Sequence, residues 1–403
     1  MGRLLILSEF YCPAKGRTIG ILEDLVEDLA NRGHDIAVVC GDARYGGGTM
    51  KRAEEMIPER VKVLRYQMPV VSRRPVGGRL FHWLWLLLRM RRAILLHGAE
   101  CDAVLAVVNP IPIHWVMGGH RAGAHTTRRV ALVWDLLPDS AVALELLRPH
   151  SLSVSIARRL NRKTLQGLDG VVVPGHDMKR HLLEAYALRD TQVEVISNWS
   201  DASHLYLDGS LVLPREQQLQ QPFMVLLAGG LGRAQDVNQL KRLAVMIEGE
   251  SEMCLQVVGT GPLIVPLREW VQEQGLGHMT VLDFCEGPAF GHLLSTASVG
   301  LVLLSPRLLG LGVPSRTYTY LCAGLPVLAL VPPSCEIALQ LTQARAGLVA
   351  ADADQSLACL RRLRTNGQLY NDMSAAALQA ARGPLSRGVC VKQYEQMLFE
   401  HVE

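Results

Sequence analysis

The chain has 403 residues, 49% of them hydrophobic and 20% charged, and its 41 basic and 38 acidic side chains leave a net charge of +3. That composition excludes a disordered chain, and a balance so close to neutral gives no case for nucleic acid as a partner. At roughly 150 residues per domain the length suits two or three domains, each able to bury a full core.

Leu4 to Leu7 form a short apolar run that stops at Glu9, which reads as a first strand and not as a signal peptide. A helical pattern begins near Thr18, with Ile21, Leu22, Leu25, Val26 and Leu29 at spacings of three and four and Gly33 where a C-cap belongs. A buried strand follows over Ile36 to Cys40, then DAVLAVV (102–108), VALVWDL (130–136) and GVVVPG (170–175). This β-α-β order builds a parallel sheet covered by helices, and ligands of such sheets gather at the carboxyl ends of the strands.

A polar stretch with two prolines, LVLPREQQLQQP, separates this half from a second that alternates in the same way: FMVLLAG, a helix over Asp236 to Gly249, CLQVVGTGP, a helix over Ile264 to Gly275, MTVLDF, VGLVLL, a helix from Ser315, and PVLAL. The expected organisation is a Rossmann-like domain over 1–209, a hinge over 210–222, a second Rossmann-like domain over 223–384, and a carboxyl-terminal helix over 385–403 able to pack on either. Helical spacing in that last segment falls on Val391, Tyr394, Leu398 and Val402. Nine cysteines without a CxxC pair point to buried thiols in a reducing cytoplasm.

Two segments carry chemistry. AGGLGRAQDVN (228–238) ends a strand in closely spaced glycines, Gly230 and Gly232 among them, and enters a helix past Arg233, so it is either a diphosphate cradle or a tight turn with a solvated arginine. In LGVPSRTYTYLCAGLPVLAL (311–330), Pro314 and Ser315 open a helix and place Arg316 in its first turn, where a cation opposes the helix dipole. Either a bound anion offsets that cost or the arginine is simply exposed.

The order of these pieces, from the opening strand and its Gly16 loop through ANRGHDIAVVCGD, NPIPI and VWDLLPDSA to VISNWSD, GGLGRAQD, VVGTGP and VPSRTYTYLCAGLPVLA, resembles the retaining family 4 glycosyltransferases of the GT-B fold. The likeness is to the subgroup that builds exopolysaccharide and lipid-linked oligosaccharide. It implies two doubly wound α/β domains facing a cleft, with the acceptor on the first and a UDP- or GDP-sugar donor on the second. By position, it makes Arg233 and Arg316 contacts to the donor diphosphate, supported by Pro314, Ser315 and, from the first domain, Gly16. Gly259 and Gly261 match the turn beside the nucleoside, and Phe284 lies near the base. Asp135 matches the acidic position of a D-L-x-P-[DE] motif, either as an active-site carboxylate or as a turn cap. Asn109, which opens NPIPI, and His114 are acceptor-side candidates.

The chain also departs from the family. A pair of glutamates eight positions apart, the second holding the donor ribose, is replaced by Leu311 and Thr319, which leaves Thr319 as a donor-binding candidate offering the ribose one neutral hydroxyl. No cofactor or metal is expected: cations and helix amino termini can stabilise the leaving diphosphate, and Asp352-Ala353-Asp354 sits far along the chain from the donor segments. His120, His125 and the pair His176 and His181 match no metal-ligand spacing.

Residues 77–98, GGRLFHWLWLLLRMRRAILLHG, are too interrupted by arginine to span a bilayer. They read either as an interfacial helix inserting Trp83 and Trp85 or as a core helix with exposed arginines. The expected protein is a cytoplasmic transferase, at the cytoplasmic face of the inner membrane if that helix touches lipid, moving a sugar to a saccharide or polyprenyl-linked acceptor. The alternatives are a soluble GT-B enzyme acting on a small molecule and a non-catalytic GT-B scaffold.

Overall fold

The computed structural model describes residues 1–12, 17–42, 57–69, 76–118, 127–200, 206–207, 210–211 and 222–400. Gly16, His120, His125 and nearly all of 210–222 lie outside that set. The chain divides into two units, one of Met1–Ser197 with Gly310–Gly312 and Gly388–Glu403, the other of Asn198–Leu309 with Val313–Arg387.

In the first unit, β1 (Arg3–Leu7), β2 (Asp35–Gly41), β3 (Val61–Tyr66), β4 (Ala103–Val108), β5 (Arg128–Val133), β6 (Gly170–Val173) and β7 (Val193–Val195) form one parallel sheet. Their order is β3-β2-β1-β4-β5-β6-β7. The sheet grows one way from β1 and the other way from β4, so the β1/β4 boundary is a topological switch point, where the crossovers leave for opposite faces and open a crevice. β4, at the centre, is buried along its whole length. The helix Arg387–Phe399 belongs to this unit, with Val391, Tyr394 and Leu398 on its buried side. His34 stacks on Phe399 with centroids 4.1 Å apart, and its Nε2 lies 2.8 Å from the Glu395 carboxylate, which also receives Arg32 at 2.7 Å. Gly170 opens β6 without a side chain, because a Cβ there would fall 2.1 Å from the methyl of Met397.

Residues 77–98 fold into the helix Val76–His97. His82, Leu86, Met90, Ala93 and Ile94 face inward, and Leu80, Phe81, Leu84, Leu88 and Leu95 face solvent. The tryptophans are not the outermost residues: both are half-buried, and Trp85 donates from Nε1 to the Gln67 carbonyl at 3.2 Å beneath the Arg89 guanidinium, 4.2 Å from its ring. No helix among the described residues is long and apolar enough to cross a membrane.

In the second unit, β8 (Tyr206–Leu207) and β9 (Ser210–Leu211) form a small antiparallel ribbon. The main sheet is again parallel, with β10 (Phe223–Gly230), β11 (Met253–Thr260), β12 (Met279–Asp283), β13 (Val299–Leu303), β14 (Val327–Leu330) and β15 (Gly347–Ala350) in the order β12-β11-β10-β13-β14-β15. Its core joins Leu227, Val257, Leu301 and Leu328 of the strands to Leu240, Leu267, Leu357 and Leu360 of the covering helices. Asp236 caps the helix Val237–Ile247 by accepting from the Gln239 amide at 3.2 Å.

β10 and β11 remain paired to their last residues, Gly229 opposite Gly259 and Gly230 opposite Thr260. The approach is so close that a Cβ on Gly259 would lie 1.9 Å from the Gly229 carbonyl oxygen. That contact is with backbone, which cannot swing aside. Gly259→Ala is therefore expected to destabilise the second unit by at least ~1–3 kcal/mol, read as a lower denaturant midpoint, whereas Gly232→Ala, whose Cβ would meet nothing nearer than Pro262 at 4.0 Å, leaves the midpoint nearly unchanged.

Candidate active site

Apart from Gly16, which lies outside the described residues, the donor-side candidates belong to the second unit and collect where β10, β11 and β12 end. The glycines there divide into two kinds. Gly259 and Gly261 are packing residues: a Cβ on Gly261 would strike the Leu231 carbonyl at 2.4 Å, and its φ of +120° lies in the region that only glycine visits freely. Gly230 has no atom within 4 Å of where a Cβ would stand. Gly230 and Gly232 are the two whose bareness leaves room for something to approach the backbone. The turn itself is closed internally, the Gly232 amide donating to the Gln235 side chain at 2.8 Å.

Arg316 reaches this turn from the helix Arg316–Cys322. Its guanidinium lies against Gly229 and donates from Nη2 to the Gly230 carbonyl at 2.6 Å. Burial pulls the group below its ordinary pKa, yet an arginine remains charged at neutral pH. Its Nη1 is buried and has no hydrogen-bond partner among the described residues. Leaving such a donor unpaired costs about 1–3 kcal/mol or more, and a negative oxygen beyond Gly230 would recover it. The carbonyl contact, and not a cap, is what tolerates a cation at this helix start. Ser315 makes no side-chain capping bond, and Pro314 and Ser315 contribute backbone carbonyls to the first turn, accepting from Thr317 and Tyr318.

One turn along the same helix face, Tyr320 explains why β10 is accessible at all. β13 pairs with β10 only as far as Leu226 and Gly300. Beyond that the wholly buried Tyr320 phenol stands in for the next strand, accepting from the Ala228 amide at 2.8 Å and donating to the Leu226 carbonyl at 3.0 Å. Gly300 makes room for it, since a Cβ there would lie 2.3 Å from the Tyr320 ring.

The remaining donor-side residues differ in readiness. Arg233 is exposed and makes no hydrogen bond or ion pair among the described residues, so it is free to move. Phe284, just past β12, is 40% exposed and lies 5.9 Å from Phe290 at a tilt of 45°, an aromatic corner suited to a planar base. Thr319 does not meet its expectation: at 5% exposure it offers almost no surface to a ribose, because it sits on the inward side of its helix. Asp352 caps the helix Ala353–Thr365 and Asp354 pairs with Arg242, which accounts for both carboxylates of that Asp-x-Asp.

In the first unit the candidates lie at the carboxyl ends of β4 and β5. Asp135 donates its amide to the Val108 carbonyl at 3.3 Å, and its carboxylate accepts from the Leu136 amide and the Ser140 hydroxyl. Burial outweighs those bonds and raises its pKa, and Oδ1 is buried with no partner among the described residues. That oxygen keeps its acceptor capacity unused. Asn109 donates to Thr18 Oγ1 at 2.9 Å, tying β4 to the helix Arg17–Asn31 beside a cavity of about 20 Å³ lined by Ser8, Glu9, Thr18, Asn109 and Trp134.

His114 is not an acceptor contact. It is wholly buried, with Nε2 3.0 Å from Asn161 Oδ1, and burial pulls its pKa down to about 4. It belongs to a structural network in which Asn161 also accepts from Trp115 and donates to the Leu137 carbonyl, while Tyr186, His181 and Arg158 all bond the buried Asp139. Burial alone would raise the Asp139 carboxyl, but those three donors hold it below its ordinary value.

Two outcomes follow from these contacts. Tyr320→Phe keeps the ring but strands the Ala228 amide and the Leu226 carbonyl, so it is expected to cost ~1–3 kcal/mol in denaturant unfolding. For His114, the unfolded chain takes up a proton below pH 6.5 and the native chain only near pH 4. Stability is thus lost as pH falls across that window, by on the order of 3 kcal/mol at most. His114→Asn is expected to flatten the profile between pH 6.5 and 4, and an unchanged slope would show that His114 is protonated in place.

The comparisons with known proteins agree with this architecture. Residues 21–199 match the family model of the glycosyl transferase 4-like domain. Over 218 residues the chain is 25% identical to a Pseudomonas aeruginosa protein named probable glycosyltransferase WbjE; the match covers 52% of each, so the chain spans about half the length of the curated relative it matches. Among solved structures, WaaG, a glycosyltransferase involved in lipopolysaccharide biosynthesis, is similar with a TM-score of 0.69 at 17% identity, over 99% of this chain and 100% of that one. HepE from Anabaena, in complex with UDP, gives 0.70 at 14% identity over 99% of both chains, and its complex with UDP-glucose gives 0.69 at 15%. Residues 21–199 thus match a glycosyl transferase 4-like domain, and the chain as a whole shares the two-domain GT-B fold of solved glycosyltransferases such as WaaG.

Proposed function

We propose that the chain is a retaining glycosyltransferase of glycan or polysaccharide biosynthesis, transferring a sugar from a UDP- or GDP-sugar to a saccharide or polyprenyl-linked acceptor. The observation that carries this reading is the buried, charged and unpartnered Nη1 of Arg316 beside the open backbone of Gly230. UDP in the complexes of the similarly folded HepE supports a nucleotide donor.

As the bond from the anomeric carbon to the diphosphate oxygen breaks, negative charge grows on that oxygen. Arg316 meets it from a desolvated site, where the attraction is strongest, and Arg233 swings in from solvent. Phe284 takes the base, and Gly232 gives the diphosphate clearance. Asp135 Oδ1 orients the acceptor hydroxyl, whose oxygen attacks on the face the diphosphate leaves and whose proton passes to the leaving phosphate oxygen. The outward leucines and Phe81 of Val76–His97 bring the enzyme to the cytoplasmic face of the membrane, where a polyprenyl-linked acceptor lies. The buried Thr319, in place of an acid, favours one second reading, a GT-B protein that binds nucleotide without transferring sugar.

Calorimetric titration with UDP and GDP, followed by transfer assays with the matching sugar nucleotides and NMR of the product anomer, tests each level. Binding of one nucleotide and a retained anomer are expected, with Arg316→Ala and Arg233→Ala each lowering kcat/KM by tens of fold, the scale of one charged hydrogen bond of ~1.5–3 kcal/mol. Absence of nucleotide binding would overturn the reading. Binding without transfer or donor hydrolysis selects the non-catalytic protein.

A further inference from the structure

The helix Leu152–Gln166, which leads from β5 to β6, has an unusual outer side. Val154, Asn161, Thr164 and Leu165 form its buried side. Half a turn away stand Leu152, Ile156 and Leu160, spaced four apart and 77%, 51% and 39% exposed, where a solvated helix normally keeps polar residues. Leu146 and Leu147 are exposed just before it.

Its charge is one-sided. The helix holds Arg158, Arg159, Arg162 and Lys163 and no acidic residue. Arg158 is committed to Asp139, and Arg162 donates to the Ala185 carbonyl at 2.9 Å. Arg159 and Lys163 follow Ile156 and Leu160 by three residues, on the same outward arc, and make no hydrogen bond or ion pair among the described residues.

This helix shares a face of the sheet with Val76–His97. The crossovers from β3 to β4 and from β5 to β6 advance in the same direction across the sheet, and right-handed connections put both helices on one side. Both grip the short turn Ile113–Met117 between them: Arg91 donates to the Val116 carbonyl at 3.3 Å, and Asn161 accepts from Trp115 at 2.7 Å.

We propose that Leu152–Gln166 is a second lipid-contacting helix, and that together with the outer side of Val76–His97 it seats the first unit on an anionic bilayer. The proposal rests on reading Val76–His97 as a membrane contact. Aliphatic side chains interleaved with unpaired cations suit the boundary between acyl chains and acidic headgroups, whereas lysine is depleted from the cores of protein interfaces. Two contacts also fix what one cannot: a single helix can roll on a membrane, and two on one face hold the sheet at a set tilt.

The test is co-sedimentation of the full chain with phosphatidylcholine vesicles, with and without phosphatidylglycerol, alongside analytical ultracentrifugation. Wild type is expected to bind only the anionic vesicles. Arg159→Gln with Lys163→Gln, and separately Ile156→Gln with Leu160→Gln, should each lower partitioning about tenfold or more at an unchanged melting temperature. Leu84→Gln with Leu88→Gln reports on the other helix. If that pair abolishes binding and the 156/160 and 159/163 pairs leave it intact, the second contact is wrong and the first stands. If wild type binds no vesicle, both fall. A dimer that dissociates in the 156/160 variant would assign the face to a second copy of the chain and overturn the lipid proposal.

Discussion

The candidate donor site depends on one buried phenol. A parallel sheet hides its backbone by pairing every strand on both sides, and a strand so paired offers nothing to a ligand except its tip. Beyond the Leu226–Gly300 pair Tyr320 takes the place of β13 beside β10, satisfying the Ala228 amide and the Leu226 carbonyl. Water could have satisfied those groups as well, but only by wetting the crevice. With the ring in place the opening stays dry on its inner wall, and Arg316, four residues earlier on the same helix, projects its charge into a medium where charge counts. Gly300 makes this geometry possible by leaving room beneath the ring, and Gly229 by its φ of +112°, which a side chain would strain.

Much of the fold was legible because fully buried parallel strands are written as continuous apolar runs. β1, β2, β4, β6, β10, β11, β13 and β14 were all readable in that way. The strands that patterning passed over, β3, β7 and β15, are sheet edges. An edge strand is covered less completely, so its sequence need not be uniformly apolar: VKVLRY carries a lysine and an arginine among its apolar residues, and β7 is only three residues long.

The candidate site was marked in the sequence by its glycines and arginines, and what supports them was opaque. Glycine signals close approach whether the neighbour is a ligand or the protein itself, and nothing in the letters separates Gly230, with open space, from Gly259, pressed on a carbonyl. Tyr320 could have been suspected from its position four after Arg316, on the same helical face. Asp139, Asn161 and Tyr186 could not, since they meet across separations of 25 and 47 residues that no local pattern encodes. His114 shows the same limit in reverse. A histidine at a strand end suggests chemistry, and only its partner Asn161 shows it to be a buried strut.

The helix Arg387–Phe399 gives the molecule an order of assembly. It lies against β6 and His34 in the first unit, yet it leaves the ribosome after the entire second unit has been made. During synthesis the earlier sheet must therefore wait, with the surface around His34 and Gly170 uncovered, while the later one has everything it needs to close. The usual sequence of maturation, first-made domain first, is reversed for completion if not for initiation. The ring of Phe399 and the methyl of Met397 then act as a final clasp, so that a chain cut off by stalled translation carries a finished second unit and an unfinished first one.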